Sequence, residues 1–295
     1  MNAAMKCTRE FFDQIMLEMR LIDSGVPDTE IEIFKEKFSS PIMTATLSHL
    51  GSFHGEEDHP IVQYAAGAKK AGCLHWIGMC EEDEFDAVIS TGARTVRIVK
   101  PYEDEEKIYR QLSRAEKSGA VAVGMDIDHM FDQFGDQDVV SGEKMNVKSL
   151  DMLKAYKESV SIPFIVKGVL SVKDAARCAE MGAGGIVVSH HNGRLPAAVP
   201  PLVVLPEIVK EVGKEMPVFV DCGICSGMDA YKALAMGATA VGVGAHLMPL
   251  IKKGGFEAVK NRLIEMNQEL KGTMAYTGVK NVQEFDASVI HMKNW

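Results

Sequence analysis

A chain of 295 residues with 46% hydrophobic and 25% charged content can form one large α/β domain or two smaller ones, and it can bury a full core. Its 32 basic and 41 acidic residues leave a formal charge of −9 with no basic stripe, which argues against a nucleic-acid or anionic-membrane partner. The sequence opens without an apolar signal core and has no apolar run of about 18 residues, so we expect a cytoplasmic protein with no membrane span.

Residues 1–40 read as an N-terminal helical extension of one or two helices. From about residue 41, apolar β-rich runs occur at 41–45, 74–78, 95–99, 121–126, 163–166, 185–189, 217–221 and 240–243. They alternate with amphipathic helical patterns such as 81–91, 103–118, 147–158, 172–181, 202–212 and 228–236. Strands that are apolar throughout and separated by helices imply parallel neighbours buried on both faces. Eight strand–helix units predict an α/β fold, a closed (β/α)8 TIM barrel over residues 41–295, rather than an open doubly wound sheet. Residues 272–288 read as a tail after the eighth helix. The recurring endings Ser118-Gly119-Ala120, Met181-Gly182-Ala183 and Met236-Gly237-Ala238 fit a glycine that stops each helix in the left-handed conformation before the next strand.

Six cysteines (Cys7, Cys73, Cys80, Cys178, Cys222 and Cys225) are scattered along the chain, which fits reduced thiols better than a disulfide framework. Cys222-x-x-Cys225 could be a redox pair or half a zinc site, but no second C-x-x-C exists to complete one. His49, His54 and His59 beside Glu56, Glu57 and Asp58 could ligate a cation, yet acidic residues also suit a helix start. No metal is expected at either place.

Barrel enzymes of this type place their chemistry at the C-terminal ends of the strands. Asp126, Lys167, His191, Asp221 and Gly244 all fall at or just after successive predicted strand ends. In the loop Ser189-His190-His191-Asn192-Gly193-Arg194, a histidine can move a proton near neutral pH while an arginine three residues on grips a carboxylate with its planar fork. A lone loop histidine is usually structural; the coincidence with Arg194 and the other strand ends favours function. His190 is read as packing or capping. The segments Asp221-Cys222-Gly223-Ile224-Cys225-Ser226-Gly227 and Val241-Gly242-Val243-Gly244-Ala245-His246 can cradle a phosphate on backbone amides and a helix start near Ser226, or can simply be tight turns.

From Phe164-Ile165-Val166-Lys167-Gly168 through the Ser-x-His-x-Gly-Arg loop to Asp221-x-Gly223-Ile224 and Val243-Gly244, the chain resembles the FMN-dependent α-hydroxy-acid oxidase/dehydrogenase family, which includes glycolate oxidase and lactate oxidase. The likeness is strong over roughly 160–245, looser over 41–126 and around 274–278, and not visible in the first 40 residues. It implies His191 as the active-site base, Arg194 as the substrate-carboxylate ligand and Asp126 as the group that orients and charges the histidine. It further implies Lys167 beside the flavin N1/O2 edge and Ser189 against the flavin. Asp221, Gly223 and Gly244 would hold the ribityl phosphate, and Ala45 and Ser226 complete the expected cofactor set.

The departures from the family are equally specific. Its phosphate loop usually reads Asp-Gly-Gly-x-Arg, whereas Cys222 and Cys225 stand at the second and arginine positions, and Ala245 replaces a second phosphate arginine. The substrate tyrosine at the third strand is absent from Arg97-Ile98-Val99, and His129-Met130-Phe131-Asp132-Gln133-Phe134 replaces an arginine-rich loop. A weaker FMN grip and a non-standard substrate pocket are therefore expected.

The reaction this implies is oxidation of a small 2-hydroxy acid, its carboxylate bidentate to Arg194, with His191 taking a proton as two electrons pass to FMN. Asp126 would stabilise the imidazolium and Lys167 the anionic reduced flavin. Two alternatives stand beside it. One is another flavin- or phosphate-binding barrel, similar to type 2 isopentenyl-diphosphate isomerase or IMP dehydrogenase, which has no use for a carboxylate clamp with an adjacent base. The other is a catalytically degenerate barrel serving in binding or assembly. The expected partner is a small molecule, and the resemblance implies a homo-oligomer, a tetramer.

Overall fold

The computed structural model describes residues 2–48, 50 and 59–293. Of the histidine–acid cluster near residue 55, His49, His54, Glu56, Glu57 and Asp58 lie outside the described residues. His59 occupies the N-cap position of the first barrel helix.

Eight parallel strands form one sheet: β1 (Ile42–Thr44), β2 (His75–Ile77), β3 (Thr95–Val99), β4 (Ala122–Asp126), β5 (Phe164–Val169), β6 (Gly185–Val188), β7 (Val218–Val220) and β8 (Ala240–Val243). They run in the order β1-β8-β7-β6-β5-β4-β3-β2. Thr44 closes the ring: its N–H donates to Leu74 O at 3.1 Å and its Oγ1 accepts from Trp76 N at 2.9 Å, while Leu47 bridges Ile77 in parallel. All five residues of β3 and of β4 are buried, which is what helices on one face and a filled interior on the other require.

The helices between are α1 (Pro60–Ala71), α2 (Glu82–Ser90), α3 (Glu105–Lys117), α4 (Leu150–Glu158), α5 (Val172–Glu180), α6 (Pro201–Val212), α7 (Gly227–Ala235) and α8 (Met248–Thr277), the last broken by a kink at Gly254 and Gly255. Asp104, Ser149, Ser171 and Ser226 cap α3, α4, α5 and α7 by accepting a backbone N–H of the first turn. Gly119, Gly182 and Gly237 have φ of +88°, +74° and +103°, so the repeated Gly-Ala endings are helix stops.

The first 40 residues hold one helix, not two. Ala3–Gln14 is helical, and Ile31–Ile33 pairs antiparallel with Glu36–Phe38. Ile31, Ile33 and Phe38 of this hairpin pack with Met43, Trp76, Ile165 and Phe219 inside the barrel and plug its N-terminal end. Likewise, the expected tail starts later than 272. Helix α8 continues to Thr277 because Leu263, Met266, Leu270 and Met274 keep a buried stripe at helical spacing. Beyond it, Ile290–Met292 pairs antiparallel with Ile15–Leu17, which ties the two ends of the chain together.

Candidate active site

The strand ends converge on a buried charge cluster centred on Asp126, which is 1% exposed. Its Oδ2 accepts from Lys100 Nζ at 2.8 Å and its Oδ1 from Lys167 Nζ at 3.1 Å, while His191 Nδ1 lies 3.3 Å from Oδ2. Burial opposes a charge at Asp126, but Lys100, Lys167 and His191 together hold its carboxyl well below the usual range. The two lysines shift in opposite directions. Burial, with Lys167 nearby, dominates at Lys100 and lowers its ammonium, whereas at Lys167 burial is outweighed by the carboxylates of Asp126, Asp128 and Asp221, which raise it.

His191 reaches this cluster through an unusual backbone. His191, Asn192 and Gly193 have φ of +47°, +60° and +82°, and the His191 N–H donates to Ser189 Oγ at 3.0 Å. The turn is held from outside by the N-terminal helix, whose Asn2 side chain donates to the carbonyls of Asn192 and Gly193 at 2.8 and 3.1 Å. His190 faces away: its Nδ1 accepts from Gly193 N at 3.2 Å, so Nε2–H donates to Thr8 Oγ1 at 2.8 Å, a packing role as expected.

His191 Nδ1 lies 2.8 Å from Asp128 Oδ1 as well as near Asp126, so it carries the proton. The 3.1 Å approach of Lys167 Nζ to the same nitrogen then brings two donors together, balanced by the carboxylates they share. Burial and Lys167 push the imidazolium down, but Asp126 and Asp128 outweigh them and raise His191 above the ordinary histidine value. Asp128 packs directly on Gly168, where a Cβ would lie 2.5 Å from its Oδ2.

A neighbouring network comes from the β4–α4 loop. His129 Nδ1 lies 2.7 Å from Asp138 Oδ2, the oxygen that also accepts from Arg194 Nη2 at 2.8 Å. Asp138 is carried at the foot of a short hairpin, Val139–Val140 against Glu143–Lys144. Burial and Lys100 push His129 down to about 4, so it is neutral at pH 7.

A pocket above the cluster is lined by Lys167, His191, Asp221, Gly223, Gly244 and Ala45 from the expected set, together with Thr46, Cys222, Cys225 and His246. Asp126 lies beneath it. Arg194 and Ser189 line a separate cavity with Phe131 and Leu195, one that shares no lining residue with the pocket holding His191, and Ser226 is engaged as the α7 cap. Another cavity, at the opposite end of the barrel between Arg94, Lys157 and Pro163, adjoins strand beginnings rather than strand ends. Arg97 contributes to the wall only, paired with Glu82 at 2.8 and 3.1 Å.

Guanidinium groups do reach the glycine loop, from elsewhere in the chain. Arg262 of α8 donates to Cys225 O at 2.9 Å and to His246 Nε2 at 3.1 Å, and Arg9 donates to Gly223 O at 3.3 Å while forking onto Asp229. Because Nε2 of His246 accepts, its Nδ1 carries the proton. Burial and Arg262 lower His246, which keeps it neutral. Lys100, Asp128, His129, Asp138 and Arg262 were not singled out from the sequence. Lys100 alone gave a signal of the kind used for Lys167, a charged residue just past an apolar strand.

The donor set and the shape of the pocket fit a planar, anionic cofactor. A Cβ at Gly242 or Gly244 would meet Ala45 at 3.3 or 3.1 Å, so glycine is what keeps this floor open. Lys167 supplies a fixed positive charge, while at the start of α7 the N–H groups of Cys225 and Gly227 already donate to the carboxylates of Asp229 and Glu269.

A sequence model described as FMN-dependent dehydrogenase matches residues 1–151 and 132–292, including the first 40 residues, where the sequence showed no visible likeness. The chain is 27% identical to 4-hydroxymandelate oxidase of Amycolatopsis orientalis over 95% of its length and 88% of that protein's. It is 28% identical to glycolate oxidase 1 of Zea mays over 94% of this chain and 84% of the relative. Among solved structures, mandelate oxidase with (S)-4-hydroxymandelic acid superposes with a TM-score of 0.86 at 27% identity, covering 98% of this chain and 90% of that one. A mandelate oxidase variant with a monooxide FMN adduct gives 0.86 at 29% identity, covering 99% and 91%.

Proposed function

The chain belongs to the FMN-dependent dehydrogenase family and uses FMN as its cofactor, and we propose that it oxidises a 2-hydroxy acid to the 2-oxo acid with His191 as base and Arg194 as carboxylate ligand. The observation that carries this reading is the placement of His191 against two carboxylates, with Lys167 on the same Asp126 and in the same pocket.

When bound, FMN supplies the two-electron acceptor. Lys167 and Ala45 would lie at its ring, and Asp221, Gly223, Gly244 and His246 at its ribityl phosphate. Arg262 and Arg9 brace that loop where the family's arginines are replaced by Cys225 and Ala245. Ser189 fixes the His191 turn, and Ser226 acts through the α7 cap.

The work of the side chains follows from their partners. Arg194 exchanges Asp138 for the substrate carboxylate and fixes the hydroxyl-bearing carbon relative to His191. His191 Nε2 takes a proton from the substrate, and the imidazolium so formed is stabilised by Asp126 and Asp128 through Nδ1. Lys167 holds positive charge, fixed by Asp126, where negative charge grows on reduction. The proposal extends to a cytoplasmic homo-oligomer. Six free thiols suit a reducing compartment, and Met19, Leu21, Ile22 and Val26 expose apolar surface to cover. Among the described residues no helix is long and apolar enough to cross a membrane.

The test is anaerobic mixing of the FMN-loaded protein with a panel of small and aromatic 2-hydroxy acids. We expect the flavin absorbance to bleach with at least one acid, and His191→Gln to slow that bleaching by about 10²-fold or more. Bleaching that survives the substitution at the wild-type rate would remove His191 from the mechanism.

A further inference from the structure

The second nitrogen of His191 does not face open space. His191 Nε2 lies 3.4 Å from Nε2 of His129, the rings meeting edge to face with centroids 4.6 Å apart and planes at 81°. Asp138 fixes the tautomer behind this contact. A carboxylate can only accept, so the 2.7 Å contact puts the His129 proton on Nδ1 and leaves the Nε2 lone pair aimed at His191. The groups therefore form one line: Asp128, His191, His129, Asp138, with Arg194 beyond.

We propose that His129 is the positioning partner of the base, so that the proton His191 Nε2 takes from the substrate is the one proton shared in a hydrogen bond with His129 Nε2. The inference deepens the proposed function and rests on His191 being the base. In the step, the substrate O–H bond breaks and a bond to His191 Nε2 forms; that hydrogen then donates to His129 Nε2 and stays on His191, the more basic of the two rings. No electron moves in this exchange.

Three features of the chain support it. First, Asp126 and Asp128 serve only the Nδ1 side of His191, so an imidazolium there needs an acceptor for Nε2–H, and His129 is the group within reach. Second, His129 is neutral at rest, because burial and Lys100 hold it down, so it can accept. Third, Asp138 Oδ2 is shared between His129 and Arg194. When Arg194 turns to a substrate carboxylate, Asp138 is left to His129 alone, and the pair becomes a better proton acceptor as the substrate arrives. The charged groups facing the pair are Lys100 beyond β3, Asp126 and Asp128 at the end of β4, Asp138 in the following loop, Lys167 on β5, Arg194 after β6, and Asp221 through Lys167.

The test is a pH titration of imidazole resonances in FMN-loaded protein without substrate, paired with the pH profile of flavin reduction by stopped flow. In the wild type we expect the His191 and His129 signals to titrate together in two coupled steps. His129→Phe keeps a ring but removes the acceptor. His191 should then titrate alone, its midpoint lowered by about one pH unit, because its Nε2–H has lost a partner. The acid limb of flavin reduction should move down with it and the plateau fall several-fold, with little change in KM. A loss of rate that is uniform across pH, with the His191 midpoint unmoved, would overturn the proposal, as would independent single-step titrations in the wild type. If His129→Phe does not fold, Asp138→Asn carries the same titration, and a smaller shift in the same direction is expected. If no 2-hydroxy acid bleaches the flavin, the proposed function fails, while the resonance titration still decides the shared proton.

Discussion

Asp126→Asn isolates the charge at the centre of the site without changing its shape. Asp126 is 1% exposed and meets Lys100 at 2.8 Å, Lys167 at 3.1 Å and His191 at 3.3 Å. An asparagine keeps one acceptor oxygen but turns a second donor toward two ammonium groups that are themselves buried. Breaking a buried pair from one side costs about 3–5 kcal/mol, since the remaining charge is left uncompensated. For a chain of 295 residues that corresponds to a fall in Tm of roughly 5–8 °C. The assay is unfolding of the variant without substrate, by circular dichroism with heat or urea, so turnover plays no part. Lys100→Met should cost far less, because Asp126 keeps Lys167 and His191, and because burial already disfavours the Lys100 charge. The double variant should therefore recover part of the Asp126→Asn loss. The pH dependence has a definite sign. The folded Asp126 carboxyl lies well below its unfolded value, so its contribution is fully present above about pH 4 and is lost only as pH falls through the folded value. The gap between wild type and variant should persist at pH 5. A variant within about 2 °C of wild type, or a double variant whose losses simply add, would refute the idea of one shared charge balance.

Two further outcomes follow from close contacts. Gly168→Ala would place a Cβ 2.5 Å from Asp128 at a φ of +93°, so we expect a loss of about 1–3 kcal/mol together with slower flavin reduction as Asp128 leaves His191. Normal stability and normal reduction kinetics would show that Asp128 is not held by this contact. Arg262→Met removes the donor to Cys225 O and frees the His246 ring, so FMN affinity measured by fluorescence quenching should weaken by roughly tenfold. An unchanged affinity would mean that the loop needs no brace from α8.

The barrel was legible because the strands are short apolar runs and most helices end at a glycine, α4 with its Ser159 end being an exception, signals confined to a few residues. Asp126, Lys167 and His191 were legible for a related reason, since a strand end fixes where a side chain lies without knowledge of anything distant. His129, Asp138 and Arg262 were not. His129 and Asp138 meet through a loop whose hairpin strands are only two residues each, too short to show a period. Arg262 sits on α8 and looks like any solvated charge until the barrel brings it to a carbonyl 37 residues earlier. The loss of both phosphate-loop arginines read as depletion, whereas the fold delivers guanidinium groups to the same loop from Arg9 and Arg262. The hairpin at 31–38 was missed because Ile31-Glu32-Ile33 alternates over three residues only, too few to establish a period, and its apolar residues became intelligible only as the plug of the barrel.

The pairing of Ile15–Leu17 with Ile290–Met292 also sets an order of events during synthesis. The helix that steadies the His191 turn is synthesised before the barrel, yet the strand that follows it gains its partner only after some 270 further residues. A contact of that sequence separation forms late, after the local strand–helix units have had time to assemble. A nascent chain stalled after α8 would thus hold a barrel whose bracing helix is docked through Asn2, Arg9 and Phe12 while the strand after it still lacks its partner. Pulse proteolysis of stalled chains would find the segment around residues 15–25 open to cleavage until residues 290–292 have emerged.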